Sequence, residues 1–318
     1  MKNIVRIYVL FFIILFSGIS LYSETNTNAG TTAVSWIKIG VGARPAGMGE
    51  TYTAIGDDAI SLFWNPACLS RNMHKGFVAM YGKWFADIGY HAVALVIPTF
   101  DEFGIPRRAI GIGATSLQVG EIPITTDTWL PGTDSNGTFT PGGNSIIFSF
   151  SQGLGDAIAV GINAKLISEK IYEKIETAYT ADIGVLMRAG DENSRFGIGV
   201  VGQNLIGTMY GNSLPQNIKA GIGLNMGPLT FGVDINMPND HGMKTSLGGE
   251  FLLGPIALRA GLIIGLNEDE LGTSDVLGIP AGLSIGVGLN TRLLGLDFAA
   301  VPLGSLGDTI RVSMNLKF

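Results

Sequence analysis

Ile310-Arg311-Val312-Ser313-Met314-Asn315-Leu316-Lys317-Phe318 ends the chain. In an extended backbone successive side chains point to opposite faces, so Ile310, Val312, Met314, Leu316 and Phe318 share one face and Arg311, Ser313, Asn315 and Lys317 the other. A strand that is apolar on one face, polar on the other and closed by an aromatic reads as the last strand of a membrane barrel, the feature barrel assembly machinery is expected to recognise.

The same period of two recurs upstream. Ile158, Val160, Ile162, Ala164 and Leu166 oppose Ala159, Gly161, Asn163 and Lys165, and the stretches 218–226, 229–237, 247–253, 256–262 and 283–289 repeat the pattern. Gly227-Pro228 is a tight turn between two of them. With weaker segments beginning near Phe77, Gly89, Arg108, Ser145, Thr177, Arg195 and Leu294, the count is about fourteen, an even number as in bacterial barrels.

Composition supports lipid on the apolar face. Hydrophobic residues are 46% of the 318 and charged residues only 14%, with 46 glycines, and mean hydropathy is +0.35. A water-soluble sandwich alternates too, but its outer face would be rich in charge. No apolar run beyond the N-terminus reaches the roughly eighteen residues a helical span needs. Gly, Asn, Ser and sparse charges therefore face the interior. The inward charges Lys165, Asp182, Lys219, Asp234, Glu250, Arg259, Asp297 and Arg311 have mixed sign, which suits internal pairing rather than a charge-selective pore.

Strand parity orients the barrel. With Phe318 at the periplasmic end, the short links at Arg292-Leu293, Gly254, Gly227-Pro228 and 153–155 fall there, and the long connections 119–143 and 265–280 fall outside.

At the N-terminus, Lys2 and Arg6 precede an uncharged apolar run, 7–19, the pattern of an export signal cleaved after Ser20 or Ser23. The competing reading, an uncleaved anchor, needs a longer run. The expected organisation is a signal peptide over 1–23, a hatch over 24–73 and a transmembrane antiparallel β-barrel over 74–318, exported to the outer membrane and surrounded by its lipid. The hatch residues are too apolar for a disordered tail and too irregular for a strand, so a plug in the lumen is their natural place. Asp58 is expected to cap a helix over 59–64, which Pro66 terminates.

Other function classes find little support. A net charge of −6 argues against nucleic acid. Gly40, Gly42, Gly47 and Gly49 lack the Lys-Ser/Thr of a phosphate loop and read as glycines for close packing. Asp57 and Asp58 read as caps before acid-base groups, and Cys68 as a small buried residue rather than a reactive thiol. His74, His91 and His241 are isolated, and 267–270 reads as a solvated loop, with calcium the alternative. No catalytic constellation, metal set or cofactor motif is assembled, so no enzyme is expected.

Within the hatch, Lys38-Ile39-Gly40-Val41-Gly42-Ala43-Arg44-Pro45-Ala46-Gly47-Met48-Gly49-Glu50, Ala54-Ile55-Gly56-Asp57-Asp58-Ala59 and Trp64-Asn65-Pro66-Ala67 carry a resemblance. They resemble the PorV/PorQ-type outer-membrane proteins and, more distantly, the FadL-type long-chain fatty acid transporters, over residues 37–69; Cys68 stands where the pattern has glycine. The resemblance implies a fourteen-stranded barrel with its hatch in the lumen. It implies one of two functions: uptake or capture of hydrophobic small molecules, or a secretion-system role binding exported proteins. The residues expected to matter are those of the hatch: Gly47 and Gly49 for close packing, Asp57 and Asp58, and Asn65, Pro66 and Ala67 for its turn.

Overall fold

The computed structural model describes residues 28–84, 88–102, 105–124, 137–190, 194–266, 278, 280–304 and 307–318. The expected signal peptide and the acidic stretch 267–270 lie outside them. The strands are β1 (Gly76–Lys83), β2 (Gly89–Phe100), β3 (Pro106–Gln118), β4 (Ile122–Pro123), β5 (Thr138–Phe139), β6 (Gly142–Leu154), β7 (Ile158–Ile171), β8 (Lys174–Gly190) and β9 (Ser194–Gln203). They continue as β10 (Thr208–Met209), β11 (Asn212–Ser213), β12 (Asn217–Met226), β13 (Leu229–Pro238), β14 (Lys244–Leu253), β15 (Ile256–Ile264), β16 (Leu283–Asn290), β17 (Leu294–Pro302) and β18 (Asp308–Lys317). Two small hairpins, β4–β5 and β10–β11, stand apart; the other fourteen form one closed antiparallel barrel in which β1 pairs with β18.

The closing register runs from Gly76 opposite Lys317 to Lys83 opposite Ile310, and the Phe318 amide donates to the Lys75 carbonyl at 3.0 Å. Closure satisfies every ladder without leaving an edge, which is what allows strands to stand in hydrocarbon. A ten-residue strand such as β12, tilted by about 40°, rises about 25 Å, the height of a lipid-facing band. Alternation is sharp: Ile310 is 56% exposed and Arg311, beside it, 2%. All eight charges expected to point inward do so, and only Lys165 is more than marginally accessible.

Ile222 lies mid-strand on the outer face of β12. Ile222→Arg should cost about 2–4 kcal/mol, read as a lowered denaturation midpoint in lipid vesicles. An unchanged midpoint would show that this face does not meet hydrocarbon.

The barrel has two ends. The terminal end carries Gly76, Lys317 and the tight turns at Gly155, Gly227 and Gly254, each at positive φ. The loop end carries the connections from β3 to β6, β9 to β12 and β15 to β16.

One local expectation needs correction. The helix spans Ser61–Trp64 with Ile60 as its N-cap and no side-chain cap. Asp58 instead braces the preceding turn, its Oδ1 accepting from the Ile60 amide at 3.0 Å. Its other oxygen is drawn to the wall, where Asn315 Nδ2 donates to it at 3.3 Å. Asn65 caps the 3-10 turn Pro66–Arg71, its side chain accepting from the Ala67 amide.

Candidate functional site

The glycines of the inward face gain a purpose from register. Gly197 faces Gly223, Gly223 faces Gly232, Gly232 faces Gly248 and Gly248 faces Gly261. They form a continuous row across five neighbouring strands, a side-chain-free track along the inner wall, running across the strands. The segment 48–55 lies along it, with Gly49 against Gly261, Met48 against Gly248, Thr51 against Gly232 and Ile55 against Gly223. Of the expected close-packing glycines, Gly47 has room for only about 2.9 Å between an added Cβ and Gly286 Cα, and Gly49 adopts φ +63° with backbone of β14 and β15 equally close.

The polar residues of the same face bond the segment's backbone, answering the requirement that buried amides and carbonyls be paired. Asp234 Oδ2 accepts from the Tyr52 and Thr53 amides at 2.9 Å each. Asn163 Nδ2 donates to the Leu62 carbonyl at 3.0 Å, Gln203 Nε2 to Phe63 and Trp64 at 3.1 Å, and Arg188 to the Ala54 and Gly56 carbonyls. The closing strand joins in: Arg311 Nη1 donates to the Gly40 carbonyl at 2.9 Å and Ser313 Oγ accepts from the Ala43 amide at 3.1 Å.

An ion chain, buried or nearly so except at Asp57, ties segment to wall. Arg44 grips Glu250 with two parallel hydrogen bonds, Nε to Oε2 at 2.9 Å and Nη2 to Oε1 at 2.8 Å. Its Nη1 reaches Asp57 at 2.5 Å and Asp58 at 3.6 Å. Glu250 is shared with Arg259, which also holds Asp297, both at 2.7 Å. Asp57 and Asp58, singled out from sequence, thus meet Arg44, which had no role assigned although it stands in the quoted motif.

The remaining sequence-selected residues lie lower. Asn65 Nδ2 donates to the Thr53 carbonyl at 2.9 Å, and Pro66 and Ala67 pack on Gly161 of β7. Cys68 is fully buried.

Between this segment and the loop end lies a cavity of about 440 Å³. Phe63 and Trp64 of the segment and Tyr90 and Ile167 of the wall give it apolar surface, beside the charged Lys38, Glu50, Lys165, Lys244 and Arg311. Lys219 also lines it, 9% exposed, its Nζ 4.4 Å from the centre of the Trp64 ring. Among the described residues no carboxylate forms an ion pair with that ammonium. Parity had placed Lys219 inward but gave no sign that it would make no direct ion pair there.

Residues 32–38 form a strap at the loop end. Trp36 Nε1 donates to Glu169 Oε1 at 3.0 Å. From the far side, Asp240 Oδ2 accepts from Lys38 Nζ at 2.7 Å and Thr32 Oγ1 at 2.5 Å. Burial opposes the Asp240 charge, but these bonds hold its carboxyl below the usual carboxylate range. The stability they lend is present at neutral pH and is lost only as pH falls through that lowered value.

No family model matches the chain, and no curated protein matches it in sequence. Among solved structures, the toluene transporter TbuX of Ralstonia pickettii superposes with a TM-score of 0.57 at 12% identity, over 88% of this chain and 98% of the transporter. The TodX monoaromatic hydrocarbon channel, as its deltaS2 mutant, does so with a TM-score of 0.56 at 12% identity, over 88% of this chain and 99% of the channel. At that identity the likeness is one of fold: this chain has the barrel architecture of that transporter and that channel.

Proposed function

We propose that the protein is an outer-membrane barrel for uptake or capture of hydrophobic small molecules, long-chain fatty acids being the ligand class that fits best. The observation that carries this reading is the cavity: walled in part by Phe63, Trp64, Tyr90 and Ile167, within the size range of small-molecule sites, and holding the buried Lys219 ammonium, which makes no direct ion pair although Glu50 shares the lining. A buried ammonium without a direct ionic contact is costly, so a carboxylate head group on Lys219, with its chain against Phe63 and Ile167, supplies that contact. The fold shared with a toluene transporter and a hydrocarbon channel and the FadL-type resemblance of residues 37–69 support the same reading.

The test is binding of a fluorescent fatty acid to purified protein. Lys219→Met should weaken it by about ten- to a hundredfold, the worth of a charged hydrogen bond, while leaving a neutral hydrocarbon's affinity unchanged. If wild-type protein binds no such amphiphile and deleting the gene leaves uptake unaltered, the reading fails. The PorV-like alternative, binding of exported proteins, rests on the match over residues 38–50 and on the long connection 119–143. It predicts a stable complex with exported proteins that is lost when that connection is shortened.

A further inference from the structure

The N-terminal segment does not merely fill the lumen; its described residues run from one end to the other. At the terminal end, Arg71 donates to the carbonyls of Gly155, at 3.3 Å, and Ile158, at 2.7 Å. Midway it lies on the glycine row. At the loop end, the Ala33 amide donates to the Ser213 carbonyl at 3.0 Å, and Thr32 is bonded to Asp240. Ser213 and Asp240 both belong to loop-end connections, and Asn28, Ala29, Gly30 and Thr31, which precede these contacts, are exposed. The chain therefore enters the barrel wall at β1 from the terminal end, although the start of its segment stands at the opposite mouth.

We infer that residues 28–31 are presented on the outside of the cell, the arm that precedes the barrel having been threaded through the lumen so that its start is a cell-surface peptide. The inference rests on the proposed membrane and orientation, with the loop end outward. The attachments themselves come from three loop-end elements: Glu169 at the far end of β7, Ser213 of the β10–β11 hairpin and Asp240 between β13 and β14. An arm retained on the periplasmic side could make none of them. The physical consequence is that residues 28–31 cross the outer membrane during assembly, carried inside the closing barrel. They are displayed outside, where extracellular proteases and partners reach them.

Single cysteines test this cleanly, because the native Cys68 is buried. Ala29→Cys and, as a second reporter, Thr31→Cys are compared with Asp156→Cys on a terminal-end turn, where the native side chain is 84% exposed. Intact and lysed cells are treated with a maleimide polymer too large to enter the periplasm, and the folded fraction of each variant is read from its heat-dependent gel shift. The expected result is equal labelling of Ala29→Cys and Thr31→Cys in intact and lysed cells, with complete loss of Asp156→Cys labelling in intact ones. Labelling of all three only after lysis overturns the inference while leaving the barrel's orientation standing. Labelling of Asp156→Cys alone in intact cells overturns the orientation itself, and labelling of all three in intact cells overturns the separation of the two ends.

Discussion

Gly261→Ala should open the barrel. The added methyl carbon would overlap the Gly49 nitrogen and crowd the Met48 carbonyl carbon, both backbone atoms with no rotamer to give way. Overpacking of this kind costs about 3 kcal/mol, and here the cost falls on the seated segment rather than on the wall, whose ladders run through backbone alone. Displacing the segment by that amount shifts its seated-to-unseated equilibrium by about a hundredfold. In planar bilayers the open-channel probability should rise by that factor, and cells should become sensitive to bulky detergents. Gly248→Ala, which meets the Met48 carbonyl, should behave alike. Gly249→Ala, one residue along on the lipid face, meets only the Phe231 ring at 3.7 Å and should be silent. Equal conductance from the Gly248→Ala and Gly249→Ala variants would show that the segment is not what closes the lumen.

That contrast between adjacent glycines marks how far the sequence can be read. Period two in Ile310–Phe318 and its upstream copies gives the strand count, the faces and the ends, because the pleat imposes the same alternation wherever one side is apolar. The abundance of inward glycine was legible too, but its use was not. Gly223, Gly232, Gly248 and Gly261 become a track only once four strands are in register, and register is set by long-range pairing. The same holds for charge: inward Glu250 could be placed by parity, whereas its partner Arg44 lies 206 residues away in a stretch with no periodicity. The helix start erred for a related reason. Local propensity makes Asp58 a cap, but tertiary partners Arg44 and Asn315 occupy its other oxygen and the turn shifts to Ser61.

Arg44→Met should be the most destabilising single change in the segment. The chain Asp57–Arg44–Glu250–Arg259–Asp297, with Asp58 beside it, sets four carboxylates against two guanidiniums. Removing Arg44 leaves the buried Asp58 and the exposed Asp57 without their guanidinium and reduces buried Glu250 to Arg259 alone, at a cost of about 3 kcal/mol, carried by the charge stranded at Asp58 and Glu250. The loss should appear as protease cleavage within residues 43–57 of the reconstituted protein and as a lower unfolding midpoint. Glu250→Leu alone should cost less, since Arg44 keeps Asp57 and Arg259 keeps Asp297. The double variant separates pairing from packing: if the Arg44–Glu250 contact is what seats the segment, the two losses combine to less than their sum by about 1–3 kcal/mol, as contacting residues do. Strict additivity would mean that the glycine track and the Asp234 bonds hold the segment by themselves, and that the ion chain is tolerated in the lumen rather than required there.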